Sequence, residues 1–208
     1  MKNLTIYNIR QIFFAKNSLT LILLSSLIAL ISLYIMNDAE KLGALIPSLV
    51  VIFPITYVNC LIDNIFKHDK ERGILDFHLI SHEKTQVILA KFLCILALTF
   101  SCSLCIIIIS YFISSLNLSF VQNITLAFIP LFICSSAVLT TLGAINLYFD
   151  NRSNLISALI IPFIFPSLIL YGIFIENNNP KYFFISCGVA FILVPISIYL
   201  TNILMTEE

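Results

Sequence analysis

Residues 92–114 read FLCILALTFSCSLCIIIISYFIS, 23 positions without a charge. A helix crossing the hydrocarbon core of a bilayer needs about 20 mostly apolar residues. A strand of a membrane barrel would instead be short and alternating. Lipid offers no partner to a peptide group, so a continuous apolar run of this length must bond to itself as a helix. Reading outward from it, five further runs qualify: Leu19–Met36, Gly43–Ile62, Ile124–Tyr148, Leu155–Ile175 and Tyr182–Leu204. Six helices take about 120 residues, which leaves no room in a chain of 208 for a separate soluble domain. The expectation is a single membrane domain over residues 1–208, all-α, with six transmembrane helices.

Composition agrees. Apolar residues are 60% of the chain, charged residues 11%, and mean hydropathy is +1.03. Soluble domains are about 45–50% apolar and about 25% charged, so a compact soluble enzyme is excluded by the apolar surface it would expose. Disorder requires low hydrophobicity and high net charge. Eleven Lys and Arg against eleven Asp and Glu leave no basic excess for phosphate contacts, so no nucleic-acid partner is expected. The partner of most of this surface is the lipid bilayer. The first run follows Lys2, Arg10 and Lys16 as a signal peptide would. It is longer than a signal's apolar region and no small-x-small cleavage site follows promptly, so it reads as a retained helix.

Basic residues set orientation. Lys2, Arg10 and Lys16 precede the first run. Lys67, Lys70, Arg72, Lys84 and Lys91 lie between the second and third, and Arg152 between the fourth and fifth. The opposite side holds Lys41 and Lys181. Both termini are therefore expected inside, N-in and C-in. Residues Lys2–Asn17 read as a short interfacial helix, with Ile6, Ile9, Ile12 and Phe13 on one arc. The outer connections are short, and Glu176–Lys181 is a turn cluster.

The sizeable connection is Asp63–Gln86, DNIFKHDKERGILDFHLISHEKTQ. It carries nine of the chain's 22 charges and all three histidines. Charges are mixed with Phe66, Ile74, Leu75, Phe77, Leu79 and Ile80, so the segment should lie on the membrane face or dock on a partner. A plain solvated hairpin is the simpler alternative.

Catalytic motifs are missing. No two glycines are spaced for a phosphate-binding loop or a dinucleotide fold. His78 and His82 are four apart without the neighbouring Glu of a metalloprotease helix. Cys102 and Cys105 lie deep in an apolar run, where thiols pack as small hydrophobes. No ionisable group is expected inside a span, with Lys91 placed at a span's end to snorkel. This inventory predicts no enzyme, no metal site and no cofactor held by the chain itself. Prolines are frequent instead: Pro47, Pro54, Pro130, Pro162, Pro166 and Pro195 fall inside apolar runs and invite kinks. Any energy for uphill transport would have to come from a partner acting through the charged loop.

The segment FKHDKERGILD, Phe66–Asp76, followed by VILAK at Val87–Lys91, resembles the first cytoplasmic loop of the cytochrome c maturation B subunits (CcmB, haem exporter protein B). The residues that carry the likeness are Phe66, Asp69, Gly73, Leu75, Asp76 and Leu89-Ala90-Lys91. A second likeness is LGAI at Leu142–Ile145, then Arg152 and LISALIIPFIFP at Leu155–Pro166. The family usually has a proline-bearing turn where Ser81-His82-Glu83 stands here, and Glu is commoner at the place of Asp76.

The resemblance implies an ABC-type permease subunit of the bacterial cytoplasmic (inner) membrane, or of an organellar inner membrane. It would pair with a separate ABC ATPase subunit that binds ATP and Mg, with other cytochrome c maturation membrane subunits, and with a second copy of itself. Haem would be the ligand exported, or released with its periplasmic chaperone. No expected span contains a histidine, the commonest haem ligand, which favours force transmission over a haem pore. On this reading Phe66–Ile80 is a coupling helix docked on the ATPase. Phe66, Leu75 and Phe77 would be anchors, Lys67, Asp69, Glu71 and Arg72 would set fit, Asp76 would complete the motif, and Gly73 would give a bend or close approach. The alternatives are an ABC-2-type exporter subunit for a lipid, glycan or drug, and a non-transporting membrane scaffold.

Overall fold

The structure is a computed structural model and describes residues 46–52, 55, 66, 69–114, 118–147, 153–177 and 179–205. Five helices follow in chain order: α1 (Ile74–Ser81), α2 (Lys84–Ser114), α3 (Leu118–Asn146), α4 (Ser153–Asn177) and α5 (Pro180–Leu204). Residues 46–52 are also helical, and no strand occurs among the described residues. The all-helical class is as expected. Among the described residues, three helical stretches are long and apolar enough to cross a membrane: Lys84–Ile108, Leu118–Asn146 and Pro180–Leu204. A shorter apolar stretch is Pro162–Asn177 in α4. Six spans are therefore not what the described helices establish. The expected first span, most of the second and the interfacial N-terminal helix fall outside the described residues.

Helix ends differ from the apolar runs for a physical reason. The third run was expected to start at Phe92, but α2 starts at Lys84, about two turns earlier. Lys84, Thr85 and Gln86 are polar yet helix-compatible, and hydropathy marks the hydrocarbon rather than the helix. The Glu83 carbonyl opens α2 by accepting from the Gln86 and Val87 amides at 2.9 and 3.2 Å. α5 starts at the turn cluster: the Asn179 side chain accepts from the Lys181 amide at 3.1 Å, with Pro180 at the first position.

α3 is the central helix, packed by α2, α4 and α5. Its buried residues include a run of small and hydroxylated side chains, Ser135, Ser136, Ala137, Thr140, Gly143 and Ala144, beyond the larger Phe128, Leu131 and Phe132. α5 answers with Ser186, Ala190, Ser197 and Thr201. Small side chains let helix backbones approach, which is how helices associate where lipid removes the hydrophobic drive. Between the two helices Ser197 Oγ donates to the Ala137 carbonyl at 2.6 Å and lies 2.8 Å from Thr141 Oγ1. The far side of α5 is apolar and exposed, with Phe184, Phe191 and Tyr199 prominent, as a lipid-facing surface requires.

Proline leaves helix carbonyls without their usual donor. Four residues before Pro54 is Val50, whose carbonyl instead meets Ser103 Oγ of α2 at 3.0 Å. The same hydroxyl is 3.0 Å from the Thr99 carbonyl, so its one proton serves either. Tyr171 of α4 donates its hydroxyl to the Pro47 carbonyl at 3.0 Å. Segment 46–52 is thus pinned by side-chain bonds from two helices. Around it runs a core of Ile46, Val50, Ile95, Leu98, Phe128 and Phe132.

Replacing Ser197 by Ala should lower stability by about 0.6 kcal/mol, the average for hydrogen bonds between membrane helices. Replacing it by Leu should cost about 1–3 kcal/mol more through overpacking. Denaturant unfolding in micelles measures both, and a Leu variant as stable as Ala would contradict the close α3–α5 approach.

Candidate functional site

The charged loop returns onto the base of α2. Residues 69–71 are helical, Arg72 and Gly73 turn, and α1 follows. The expected single coupling helix over Phe66–Ile80 is therefore broken in the middle. Gly73 makes the break, with φ 67° and ψ 7° in the left-handed region that a side chain disfavours. Its amide donates to the Lys70 carbonyl at 2.9 Å and its carbonyl accepts from Phe77 at 3.1 Å. A Cβ added at Gly73 would meet nothing within 4 Å, so the glycine serves the bend and not a close approach. α1 ends where the His82 amide donates to the His78 carbonyl at 2.9 Å and His82 turns extended. Ser81 Oγ also folds back, to the Phe77 carbonyl at 2.8 Å.

Beneath this turn Asp69 and Lys91 form a hydrogen-bonded ion pair, 22 residues apart in sequence. Each is 1% exposed. Lys91 Nζ also sits 5.8 Å from the centre of the Phe66 ring, and Phe66 is fully buried. A cation above an aromatic face is attracted by the ring's quadrupole, more so without water. Lys91 therefore does not snorkel from the end of a span, as its position suggested. It is held inside the protein by a carboxylate from the preceding loop, because an ammonium buried without one would be far too costly.

The expected site residues divide into two sets. Phe66, Asp69 and Leu75 face inward, with Leu75 packed on Val87 and Ala90 of α2 and touched by Leu79 and Leu147. Phe66 and Leu75 anchor the segment to its own bundle, so they offer no surface to a partner. Glu71, Arg72, Gly73, Asp76 and Phe77 face outward, joined by Ile80, His82 and Glu83. Phe77 and Ile80 are 66% and 87% exposed. Lys67 lies outside the described residues. Lys91 was not expected at the site; its signal was a lysine within an otherwise apolar run, one turn beyond Val87.

His78 stands between the two sets. Burial, then the neighbouring Lys91, hold its pKa below the ordinary 6.5, with His82 adding slightly and Asp69 opposing. His78 and His82 rings are 6.4 Å apart. Among the described residues no group of three or more His, Cys, Asp or Glu could hold a metal ion. A cleft of about 570 Å³ opens between segment 46–52 and α4, lined by Val51, Ile52, Leu168, Tyr171 and Ile175 with Glu176 at its edge. It is apolar, and the Tyr171 hydroxyl is already engaged by Pro47.

No family model matches the chain, and no solved structure matches it. The chain is similar to an uncharacterised protein of Rickettsia conorii, 29% identical over 143 residues, 68% of this chain and 66% of that one. It is also similar to an uncharacterised protein of Rickettsia prowazekii, 24% identical over 192 residues, 91% of this chain and 88% of that one. The first alignment spans just under two thirds of that relative's length.

Asp69→Ala should destabilise the protein by up to about 3–5 kcal/mol, because buried Lys91 loses the carboxylate it is bonded to. Thermal unfolding in micelles checks this, and a loss below about 1 kcal/mol would mark the pair as solvated. A depressed histidine works in one direction with pH. Its neutral form is buried, so stability is intact above the ordinary 6.5 and falls as pH drops through 6.5 toward the lower folded value. Acidifying the wild type below 6.5 should lower its unfolding temperature, and His78→Gln should remove that part of the decline.

Proposed function

We propose that this chain is a transmembrane permease subunit of an ABC-type complex acting in c-type cytochrome biogenesis. It couples ATP hydrolysis by a separate ATPase subunit to haem export, or to release of a haem-loaded periplasmic chaperone. The observation that carries the reading is where the fold puts the residues of the resemblance. Phe66, Asp69, Leu75 and Lys91 tie the loop to the base of α2, while Glu71, Arg72, Asp76, Phe77 and Ile80 stand outward on the same short segment. A loop that merely joined two helices would have no need to bury an ion pair. A loop that receives a push from a soluble partner needs a rigid inner face and a free outer one.

The rest of the reading follows the same logic. The distribution of Lys and Arg supports six spans with both termini inside, which would put this segment in the cytoplasm. The membrane is the bacterial inner membrane, and two copies complete the complex by analogy with other permease halves. The chain transmits force; haem passage through it is not required. Phe77 and Ile80 replace Phe66 and Leu75 as the anchors offered to the ATPase, since the latter two are spent inside the bundle.

Haem-stained detection of covalent c-type cytochromes tests the proposal, in membranes of a strain lacking this protein with and without a plasmid copy. All c-type cytochromes should be lost and then restored. Unchanged cytochromes would exclude the maturation role and leave an exporter of another substrate.

A further inference from the structure

Apolar support within segment 69–82 is confined to Leu75, with Leu79 partly buried beside it. In α1 only Leu75 is fully buried, while Asp76, Phe77, Ile80 and Ser81 are exposed. The ionic contact between Asp69 and Lys91 is a specific tie that seats the segment on α2 in one position. A buried ion pair behaves unlike an apolar contact. Its attraction is largely cancelled by the cost of stripping water from both ions, and a well-packed apolar replacement is often as stable or more so. Once the two ions part and water enters, each is solvated again, so the open state is cheap. The contact is thus firm at close range and easily given up. The segment also has a place to pivot, because His82 is extended (φ −137°, ψ 159°) between α1 and α2.

We propose that the Asp69–Lys91 pair is a releasable latch. It holds segment 69–82 against α2 in one position and lets the segment swing away as a unit about His82–Glu83. Asp69 and Lys91 are positioning residues, acting through the segment they hold. The use of the latch by an ATPase partner rests on the permease reading above; the latch itself does not.

Hydrogen–deuterium exchange on the purified full-length protein in lipid nanodiscs tests it. The variants are Asp69→Asn, Lys91→Met and the apolar double Asp69→Leu with Lys91→Met. A latch predicts that the double variant exchanges more slowly than wild type at residues 74–81, by about fivefold or more, while Asp69→Asn exchanges faster. Glue alone would make the double variant as fast as wild type or faster, and that result overturns the proposal. If the double variant does not fold, the reversed pair Asp69→Lys with Lys91→Asp replaces it. Exchange near the wild-type rate, with each single reversal much faster, supports the latch; a reversed pair no better than the single reversals overturns it.

The same variants are then expressed in the deletion strain. Slowed exchange together with loss of holocytochromes places the latch in the maturation machine. Slowed exchange in a strain whose cytochromes never depended on this protein leaves the latch standing and removes the permease reading.

Discussion

One ion pair organises the end of the molecule that carries charge. Lys91 sits within a helix otherwise suited to hydrocarbon, and its ammonium can remain there only with a carboxylate beside it. Asp69 supplies the carboxylate from the preceding loop, and Phe66 supplies an aromatic face. To bring both there, the loop must fold back onto α2, which forces the turn at Gly73 and sets the outward direction of α1. Phe77 and Ile80 are exposed because Leu75, on the opposite face of the same short helix, is not.

Elsewhere in the bundle, hydroxyls and small residues set the close helix contacts beside a core of large apolar side chains. α3 and α5 approach through Ser, Ala and Thr, and a hydroxyl bonds a backbone carbonyl at the crossing. Segment 46–52 is held by hydroxyls of Ser103 and Tyr171 on carbonyls of Val50 and Pro47. Both devices follow from the solvent: in lipid, burying more apolar surface gains nothing, so packing and hydrogen bonds decide.

Much of the fold was legible in the sequence, and the reasons are specific. Continuous apolar runs marked α2 to α5 because lipid demands helices. They misplaced the start of α2, since Lys84, Thr85 and Gln86 are helical without being apolar and Lys91 interrupts the apolar run. At the site, Asp69 and Lys91 were both visible as motif residues, but a contact 22 positions apart has no periodic signature. A lysine at the edge of an apolar run reads as snorkelling unless its partner is known. Phe66 and Leu75 show the same limit: an apolar residue in a charged loop must be covered, and sequence does not tell whether the cover is the protein itself or another one. The Val50 contact had a clue, because Pro54 has no amide proton for that carbonyl.

The hydroxyls inside these helices have a bearing on how the chain enters the membrane. Thr99, Ser101, Thr125, Ser135 and Thr140 each bond a carbonyl of their own helix. Those hydroxyls are satisfied within their own helices and need no neighbour while the chain is being inserted. Lys91 is different, since it needs a counter-charge from outside its helix. The ribosome builds the chain from its N-terminus, so Asp69 is already made when Lys91 emerges. The order of the two residues along the chain means that the lysine never has to wait for its carboxylate.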